Sequence, residues 1–207
     1  MTIEKFNKTL PIEILEAGYD NPTELQLQTL SVINSGADLF AVGPEGSGKT
    51  TAILMTVIRK LKTPFEKAPR ALILVNDKEK AQEMERLFML FTRQSHLRCE
   101  CIHENQDIQD QVDDMYDGTD VVIATPKRLA MLFIKNWINL NKLQVLILDD
   151  ANILLKNGHK TSIDKLAVSL PKCQHIAFTQ EINEKICTQL NQLMPYAKIV
   201  EVEEQEE

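Results

Sequence analysis

Short apolar runs alternate with longer stretches of helical periodicity along the 207 residues. Several runs are continuously apolar instead of alternating, as expected for parallel strands covered on both faces. The predicted strands are Leu39–Val42, Ala71–Val75, Cys99–His103, Asp120–Ala124, Gln144–Leu148 and His175–Phe178, with Lys198–Val202 as a candidate last strand. The predicted helices are Leu25–Ser35, Lys49–Leu61, Lys78–Gln94, Gln106–Tyr116, Pro126–Lys135, Thr161–Leu170 and Asn183–Leu193.

The regular order of strand and helix predicts one α/β domain, a parallel sheet with helices on both faces, over residues 1–202. Ligands bind such sheets at the carboxyl ends of the strands. The chain has no stretch near the roughly 20 apolar residues that a membrane helix needs, and its N-terminus lacks a signal-peptide core. Four cysteines without a regular framework favour a reducing compartment. We therefore expect a cytoplasmic protein without a membrane partner.

The net charge of −7 is unfavourable for a protein that grips nucleic acid over its whole surface. Five of the excess glutamates fall in the last seven residues, so the body of the chain is close to neutral. Residues 203–207 are expected to form a solubilising acidic tail. An acidic mimic of a nucleic-acid strand is the alternative interpretation.

The strongest motif is Gly43-Pro-Glu-Gly-Ser-Gly-Lys-Thr50, a full match to the phosphate-binding loop G-x-x-x-x-G-K-[ST]. It follows a predicted strand and opens a predicted helix, so its backbone N–H groups and the helix N-terminus can bind phosphate. Lys49 is expected to reach the β- and γ-phosphates and to act in catalysis, and the Thr50 hydroxyl is expected to ligate Mg²⁺. The candidate nucleotide-binding residues here are Gly43, Gly46, Ser47, Gly48, Lys49, Thr50 and Thr51.

A second carboxylate motif ends the strand Gln144–Leu148. Asp149 is the natural Mg²⁺ partner at this edge of the sheet, and Asp150 is placed to orient or activate the attacking water. An acidic pair that merely caps the following turn is the alternative. Together the two motifs predict a protein that binds a nucleoside triphosphate with Mg²⁺.

These motifs, in their order along the chain, resemble the first RecA-like domain of the DEAD-box RNA helicases. Gly18-Tyr-Asp-Asn-Pro-Thr-Glu-Leu-Gln26 is similar to the family's Q motif, so the resemblance implies that Gln26 recognises adenine and selects ATP. It also implies that Phe6 stacks on the base. The segment between Leu10 and Gly18 is about one helical turn shorter than in the family, so a hydrophobic anchor is an equally open role for Phe6.

The resemblance also implies RNA-binding residues. Thr125-Pro-Lys-Arg-Leu129 is similar to the family's T-P-G-R-L motif, which assigns RNA backbone contacts to Thr125, Pro126 and Arg128. An ordinary threonine N-cap followed by proline explains the same residues. The family's P-T-R-E-L-A segment appears as Asn76-Asp-Lys-Glu-Lys-Ala81, which keeps a cation at Lys78 for RNA.

Several positions depart from the family pattern. D-E-A-D reads Asp149-Asp-Ala-Asn152, so the expected catalytic base is the shorter Asp150, and a misplacement on the order of 1 Å can cost about a hundredfold in rate. F-S-A-T reads Phe178-Thr-Gln-Glu181, which weakens the expected coupling to strand separation. Asp77 stands where a phosphate-binding threonine belongs, and Ile102–Gln106 lacks the family's paired glycines.

The family's second RecA-like domain, which supplies arginine fingers, is not found in these residues. We therefore expect an ATP-binding domain with weak or RNA-dependent ATPase activity at most, unable to unwind RNA alone. Its expected partners are single-stranded RNA, bound weakly, and a second RecA-like domain or another protein acting in trans. The alternative is a non-enzymatic, nucleotide-binding interaction module that acts through a protein partner.

Overall fold

The computed structural model describes residues 6, 8, 10–65, 67–156 and 159–203. Its strands are β1 (Leu39–Val42), β2 (Ala71–Leu74), β3 (Cys99–Ile102), β4 (Val121–Ala124), β5 (Val145–Leu148), β6 (Gln174–Thr179) and β7 (Lys198–Glu201). Its helices are α1 (Ile12–Glu16), α2 (Glu24–Asn34), α3 (Lys49–Leu61), α4 (Lys78–Phe91), α5 (Ile108–Asp117), α6 (Pro126–Ile134), α7 (Ala151–Lys156), α8 (Lys160–Ser169) and α9 (Glu184–Leu193).

The seven strands form one sheet in the order β3-β4-β2-β5-β6-β1-β7, and every neighbouring pair is parallel. Strands β2, β5, β6 and β1 are consecutive neighbours at its centre. Their carboxyl ends therefore lie side by side at one edge, although they come from distant parts of the sequence. The loops that leave these four strands carry most of the motifs identified above.

Two apolar cores cover the two faces of the sheet. Helices α2, α3 and α4 pack on one face, where alternate strand residues such as Ile73 and Ile147 point. Helices α5 to α9 cover the other face, which receives Leu72, Leu146 and their neighbours. Because both faces are buried, the strands carry no polar alternation, and this explains why continuous apolar runs marked them in the sequence.

A buried ion network fixes the start of β4. The carboxylate of Asp120 is fully buried and accepts hydrogen bonds from Arg70 at 2.7 Å, from Arg98 Nε at 2.8 Å and from the Phe65 N–H at 3.0 Å. Burial by itself raises the pKa of Asp120, but the hydrogen bonds from Arg98, Phe65 and Arg70 outweigh it and hold the pKa below its ordinary value. The network links β4 to the segments before β2 and β3.

The predicted strands and helices are all found, with ends that differ by up to three residues. Two short helices, α1 and α7, were not predicted, since five or six residues are too few to show helical periodicity. Of the expected acidic tail, residues 204–207 lie outside the described residues. Within the described part of the chain, no helix is both long enough and apolar enough to cross a bilayer.

Candidate nucleotide-binding site

The loop between β1 and α3 has the backbone shape that a phosphate site requires. Gly46 and Gly48 have φ angles of 79° and 86°, a region that residues with a Cβ rarely adopt. A Cβ on Gly43 would lie 2.8 Å from the Ser47 hydroxyl oxygen. The loop is tied to the sheet because the Gly43 N–H donates to the carbonyl of Thr179, 3.0 Å away. The N-terminus of α3 thus opens directly beneath the loop, as the motif predicts.

Lys49 lies folded under this loop. Its side chain is largely buried, and its ammonium group donates to the carbonyl oxygens of Gly43 at 2.9 Å and Pro44 at 2.7 Å. Burial lowers the pKa of Lys49, although the carboxylates of Asp150, Asp149 and Glu45 counter the effect. A phosphate placed in the loop would offer this cation charged acceptors in place of two carbonyls.

The segment predicted to recognise adenine is bonded to the phosphate loop. Thr23 caps α2, and its hydroxyl donates to the carbonyl of Ser47 at 2.7 Å. The Gln26 amide donates to the carbonyl of Gly48 at 3.3 Å, while its oxygen accepts from the Thr23 N–H at 3.1 Å. Each end of this amide keeps one further hydrogen-bonding position. The structure thus brings Gln26 and the phosphate loop together as the sequence predicts.

A cleft of about 540 Å³ lies between these two segments, and its size suits a nucleoside. Its walls include Pro22, Thr23, Pro44 and Val202. Phe6 does not line this cleft, because its side chain is 0% exposed and belongs to the apolar core on the α2–α4 face. The stacking role expected for Phe6 therefore needs correction. The ring is a hydrophobic anchor, the alternative that the short segment before Gly18 left open.

The carboxylate pair follows β5 at the same edge. Asp149 is 2% exposed, and its Oδ2 atom accepts no hydrogen bond from the described residues. Burial and the neighbouring Asp150 raise the pKa of Asp149 to about 7, against the opposing effect of Lys80 and Lys49. Asp150 has a φ of 48°, in the left-handed region that aspartate tolerates better than most residues, and its carboxylate accepts from Gln180 at 3.4 Å.

The predicted Mg²⁺ ligand Thr50 has an unexpected partner. Its hydroxyl oxygen accepts a hydrogen bond from the ammonium group of Lys80 at 3.0 Å. Lys80 comes from the first turn of α4, where a second bond at 3.2 Å joins it to Glu83. Thr51 is buried one residue further along α3. A cation of the chain itself therefore bonds to one of the two residues expected to hold the metal.

The altered motifs Asp149–Asn152 and Phe178–Glu181 contact each other, and the acidic group has moved from the first motif to the second. Glu181 accepts hydrogen bonds from Lys156, at 2.6 Å, and from Asn152. These two donors lower the pKa of Glu181, chiefly through Lys156. The family pattern has an acid at the position of Asn152 and a hydroxyl at that of Glu181. In this chain the acid is Glu181 in the loop after β6, and the neutral partner is Asn152 in α7. The contact between α7 and this loop is therefore kept.

The residues predicted to bind RNA are engaged by the chain itself. The Thr125 hydroxyl does not cap α6; it donates to the carboxylate of Glu104 at 2.9 Å. Arg128 donates to the backbone carbonyls of Glu104 at 2.6 Å and Gln106 at 3.0 Å. Pro126 is buried at the first position of α6. The three residues do lie together, but the hydroxyl expected to contact a phosphate donates to an acidic side chain of the chain itself.

Lys78, the fourth predicted RNA contact, begins α4 at the same edge of the sheet. Burial lowers the pKa of the His103 imidazole, and the nearby positive charge of Lys78 lowers it further. The acid expected to repel phosphate, Asp77, caps α4 by accepting from the Lys80 N–H at 2.8 Å. This cap sets the direction of the first turn of α4, and so places Lys80.

Two functional residues escaped sequence reasoning. Lys80 stands where the family's P-T-R-E-L-A motif has leucine. This mismatch was the only sign in the sequence that Lys80 has a special role. Glu104 belongs to a segment noted for lacking glycines, not for bearing a carboxylate. In both cases the partner lies at least 20 residues away in sequence. Only the folded arrangement shows which group each one bonds.

Comparison with known proteins agrees with the sheet and with the motifs. The chain matches the family model described as DEAD/DEAH box helicase over residues 23–187. It is 31% identical over 166 residues to the ATP-dependent RNA helicase DBP10 of Candida glabrata, which covers 80% of this chain and 17% of that protein.

Solved structures show the same fold. The crystal structure of a DEAD box protein from Methanococcus jannaschii matches with a TM-score of 0.87 and 21% identity, over 92% of this chain and 52% of that one. The S. cerevisiae dbp5 protein bound to gle1 and ip6 matches with a TM-score of 0.81 and 20% identity, over 96% of this chain and 52% of that one. The parallel sheet is therefore that of a RecA-like domain, and the chain spans about half of these solved chains. With more than half of its residues matched by the family model, this chain belongs to the DEAD/DEAH box helicase family.

Proposed function

We propose that this domain binds ATP, hydrolyses it slowly or only with RNA present, and does not unwind RNA on its own. The observation that carries the proposal is the direct bonding of Gln26 and Thr23 to the phosphate loop. A nucleotide in the cleft would contact Thr23 and the phosphate loop, and the largely buried Gln26 amide is bonded to both of them.

Binding would use groups that are already in place. The backbone N–H groups of residues 46–50 and the N-terminus of α3 favour an anion, and Lys49 adds a positive charge. The amide of Gln26 retains one donor and one acceptor position for the edge of adenine. Guanine presents two acceptors, N7 and O6, where adenine presents an acceptor and a donor, so the acceptor position of this amide would have no partner on GTP.

The family resemblance implies that Mg²⁺ binds together with ATP. The two residues expected to hold it, Asp149 and Thr50, fit the ion only in part. Asp149 offers a buried carboxylate oxygen with no partner among the described residues, which suits a cation. The Thr50 hydroxyl, by contrast, already bonds to the Lys80 ammonium. Asp149 and Thr50 as a pair therefore do not fit a metal ion held between them.

Slow hydrolysis follows from the groups available to activate water. Asp150 is shorter than the family's glutamate and is held by Gln180. An arginine finger is worth roughly 10³–10⁵ in rate, and we propose that a second RecA-like domain would supply it. Single-stranded RNA remains a proposed weak ligand at Lys78, Thr125 and Arg128.

A second candidate function is an interaction module that works through a protein partner. The observation that favours it is Glu104, whose carboxylate accepts from the Thr125 hydroxyl that was expected to contact RNA phosphate. The similar dbp5 structure is bound to gle1, so a domain of this fold can occur in complex with another protein. In this alternative, bound nucleotide would stabilise the domain or switch its contact with the partner.

The proposal is tested by titrating ATP into the chain by calorimetry and by following phosphate release with and without single-stranded RNA. We expect saturable ATP binding that Lys49→Ala abolishes and that Lys172→Ala, at an exposed lysine remote from the loop, leaves intact. Release is expected to be slow and at most stimulated by RNA. Absence of ATP binding at millimolar nucleotide would refute the proposal, and binding without release under any condition would favour the interaction module.

A further inference from the structure

The N-terminal turn of α4 delivers a positive charge to the phosphate loop. Asp77 caps this helix, and the cap directs Lys80, three residues later, towards the start of α3. The Lys80 ammonium donates to the Thr50 hydroxyl oxygen at 3.0 Å. Its side chain is 27% exposed, and the salt bridge to Glu83 restrains it from the outer side.

The same ammonium acts on the other expected metal ligand. Lys80 is among the groups that lower the pKa of Asp149, against the larger effect of burial, and it also lowers the pKa of Lys49. The positive charge of Lys80 therefore acts on both the Asp149 carboxylate and the Lys49 ammonium beside the phosphate loop. A lysine ammonium is a compact point charge with three N–H donors, so after bonding to Thr50 it can still donate to phosphate oxygens.

A magnesium ion needs near-ideal octahedral geometry at about 2.0–2.1 Å from its ligands. Thr50 could ligate it only with the oxygen that already accepts from Lys80. A dication and an ammonium that share one hydroxyl oxygen repel each other strongly in a partly buried site. The metal must therefore displace Lys80 or lose Thr50 as a ligand, and the bonds from Lys80 to Thr50 and Glu83 favour the arrangement without the metal.

We propose that Lys80 takes the place of Mg²⁺ in this domain, so that a nucleoside triphosphate binds with its phosphates neutralised by Lys49 and Lys80 and without a divalent cation. This inference rests on the proposed binding of ATP and adds a specificity-determining residue to it. Lys49 belongs to the phosphate loop with or without a metal, so Lys80 supplies one positive charge where a dication supplies two. The two ammonium groups do not form the bonds by which a metal orients a leaving phosphate, which agrees with slow hydrolysis.

The experiment compares ATP titrations of the full chain in excess Mg²⁺ and in excess EDTA. The parent protein is expected to bind ATP with the same affinity in both buffers, within about threefold. Lys80→Met keeps the length of the side chain and removes its charge. This variant is expected to lose at least about tenfold in affinity in EDTA and to recover much of it with Mg²⁺. Arg86→Met, at an exposed cation on the same helix, is the matched control and should behave like the parent.

Each outcome is decisive once thermal melts show that the variants are folded; Lys80→Leu replaces Lys80→Met if the latter is not. A parent protein that needs Mg²⁺ to bind ATP overturns the inference and leaves the proposed function intact. Equal binding by parent and Lys80→Met in EDTA also overturns it, since the charge would then come from another group. Failure to bind ATP in either buffer refutes the proposed function itself.

Discussion

Replacing Glu104 by glutamine should strengthen the binding of single-stranded RNA. The change removes a negative charge but keeps an oxygen that can accept from the Thr125 hydroxyl, now 2.9 Å from the carboxylate. Arg128 is held by backbone carbonyls of residues 104 and 106, so its position does not depend on the side chain that is changed. The local structure is therefore expected to survive the substitution.

The magnitude follows from the distance. A phosphate oxygen that accepts the single Thr125 hydroxyl proton would displace the hydrogen bond to Glu104 and lie close to that carboxylate. Two unit charges about 4 Å apart repel by about 4 kcal/mol at an effective dielectric constant of about 20, whereas a glutamine amide could turn an N–H group towards the phosphate. Salt and solvent reduce this repulsion, so we expect a gain of about 1–2 kcal/mol, or roughly tenfold in affinity.

The assay is fluorescence anisotropy of a labelled single-stranded RNA with ATP present at low ionic strength. Glu79→Gln is the matched control, because it changes the net charge equally at an exposed position at the start of α4 without touching Thr125. The control is expected to gain much less than Glu104→Gln. Equal affinities for the two variants would show that Glu104 does not compete with RNA phosphate, and the reasoning would fail.

Three further predictions concern the fold and the phosphate loop. Asp120→Asn leaves the buried Arg70 and the half-buried Arg98 without their counter-charge and should lower the free energy of unfolding in urea by about 3–5 kcal/mol. Burial, with Asp114 and Glu85, raises the pKa of Glu100 from 4.5 to about 7. The stability that the protonated group gives below about pH 4.5 is therefore lost as the pH rises through 7. By urea unfolding, Glu100→Gln should be about 1–2 kcal/mol more stable than the parent at pH 8 and equal to it at pH 4. Gly48→Ala places a Cβ 2.5 Å from the Gln26 amide at a φ of 86°, so it should abolish ATP binding in calorimetry; unchanged binding would contradict the described loop.

Sequence reasoning located the sheet and the phosphate loop because both depend on short-range information. Strands buried on both faces must be apolar throughout, as Val121–Ala124 and Val145–Leu148 are. The glycines of the loop and the lysine that follows them lie within eight residues. Their backbone shape is therefore fixed locally, and the prediction for Lys49 and its surroundings required no knowledge of the rest of the molecule.

Side chains that bond across the sheet edge could not be predicted in this way. Lys80 reads as an ordinary solvated residue of an amphipathic helix, and only the placement of α4 beside α3 brings it to Thr50. The family resemblance already pairs Asn152 with the run from Thr179 to Glu181, but the hydrogen bond from Asn152 to Glu181 is seen only where β5 and β6 lie side by side. Phe6 was misjudged because the path of the chain before Gly18 decides whether an aromatic ring meets the cleft or the core.

The selectivity between ATP and GTP is the most direct test of the central claim that this domain is built to bind an adenine nucleotide. Parallel calorimetric titrations of both nucleotides should be made with the parent protein and with Gln26→Ala. We predict that the parent binds ATP at least about tenfold more tightly than GTP, a difference that two hydrogen bonds can supply, and that the variant loses this preference. Equal affinity of the parent for ATP and GTP would contradict the account.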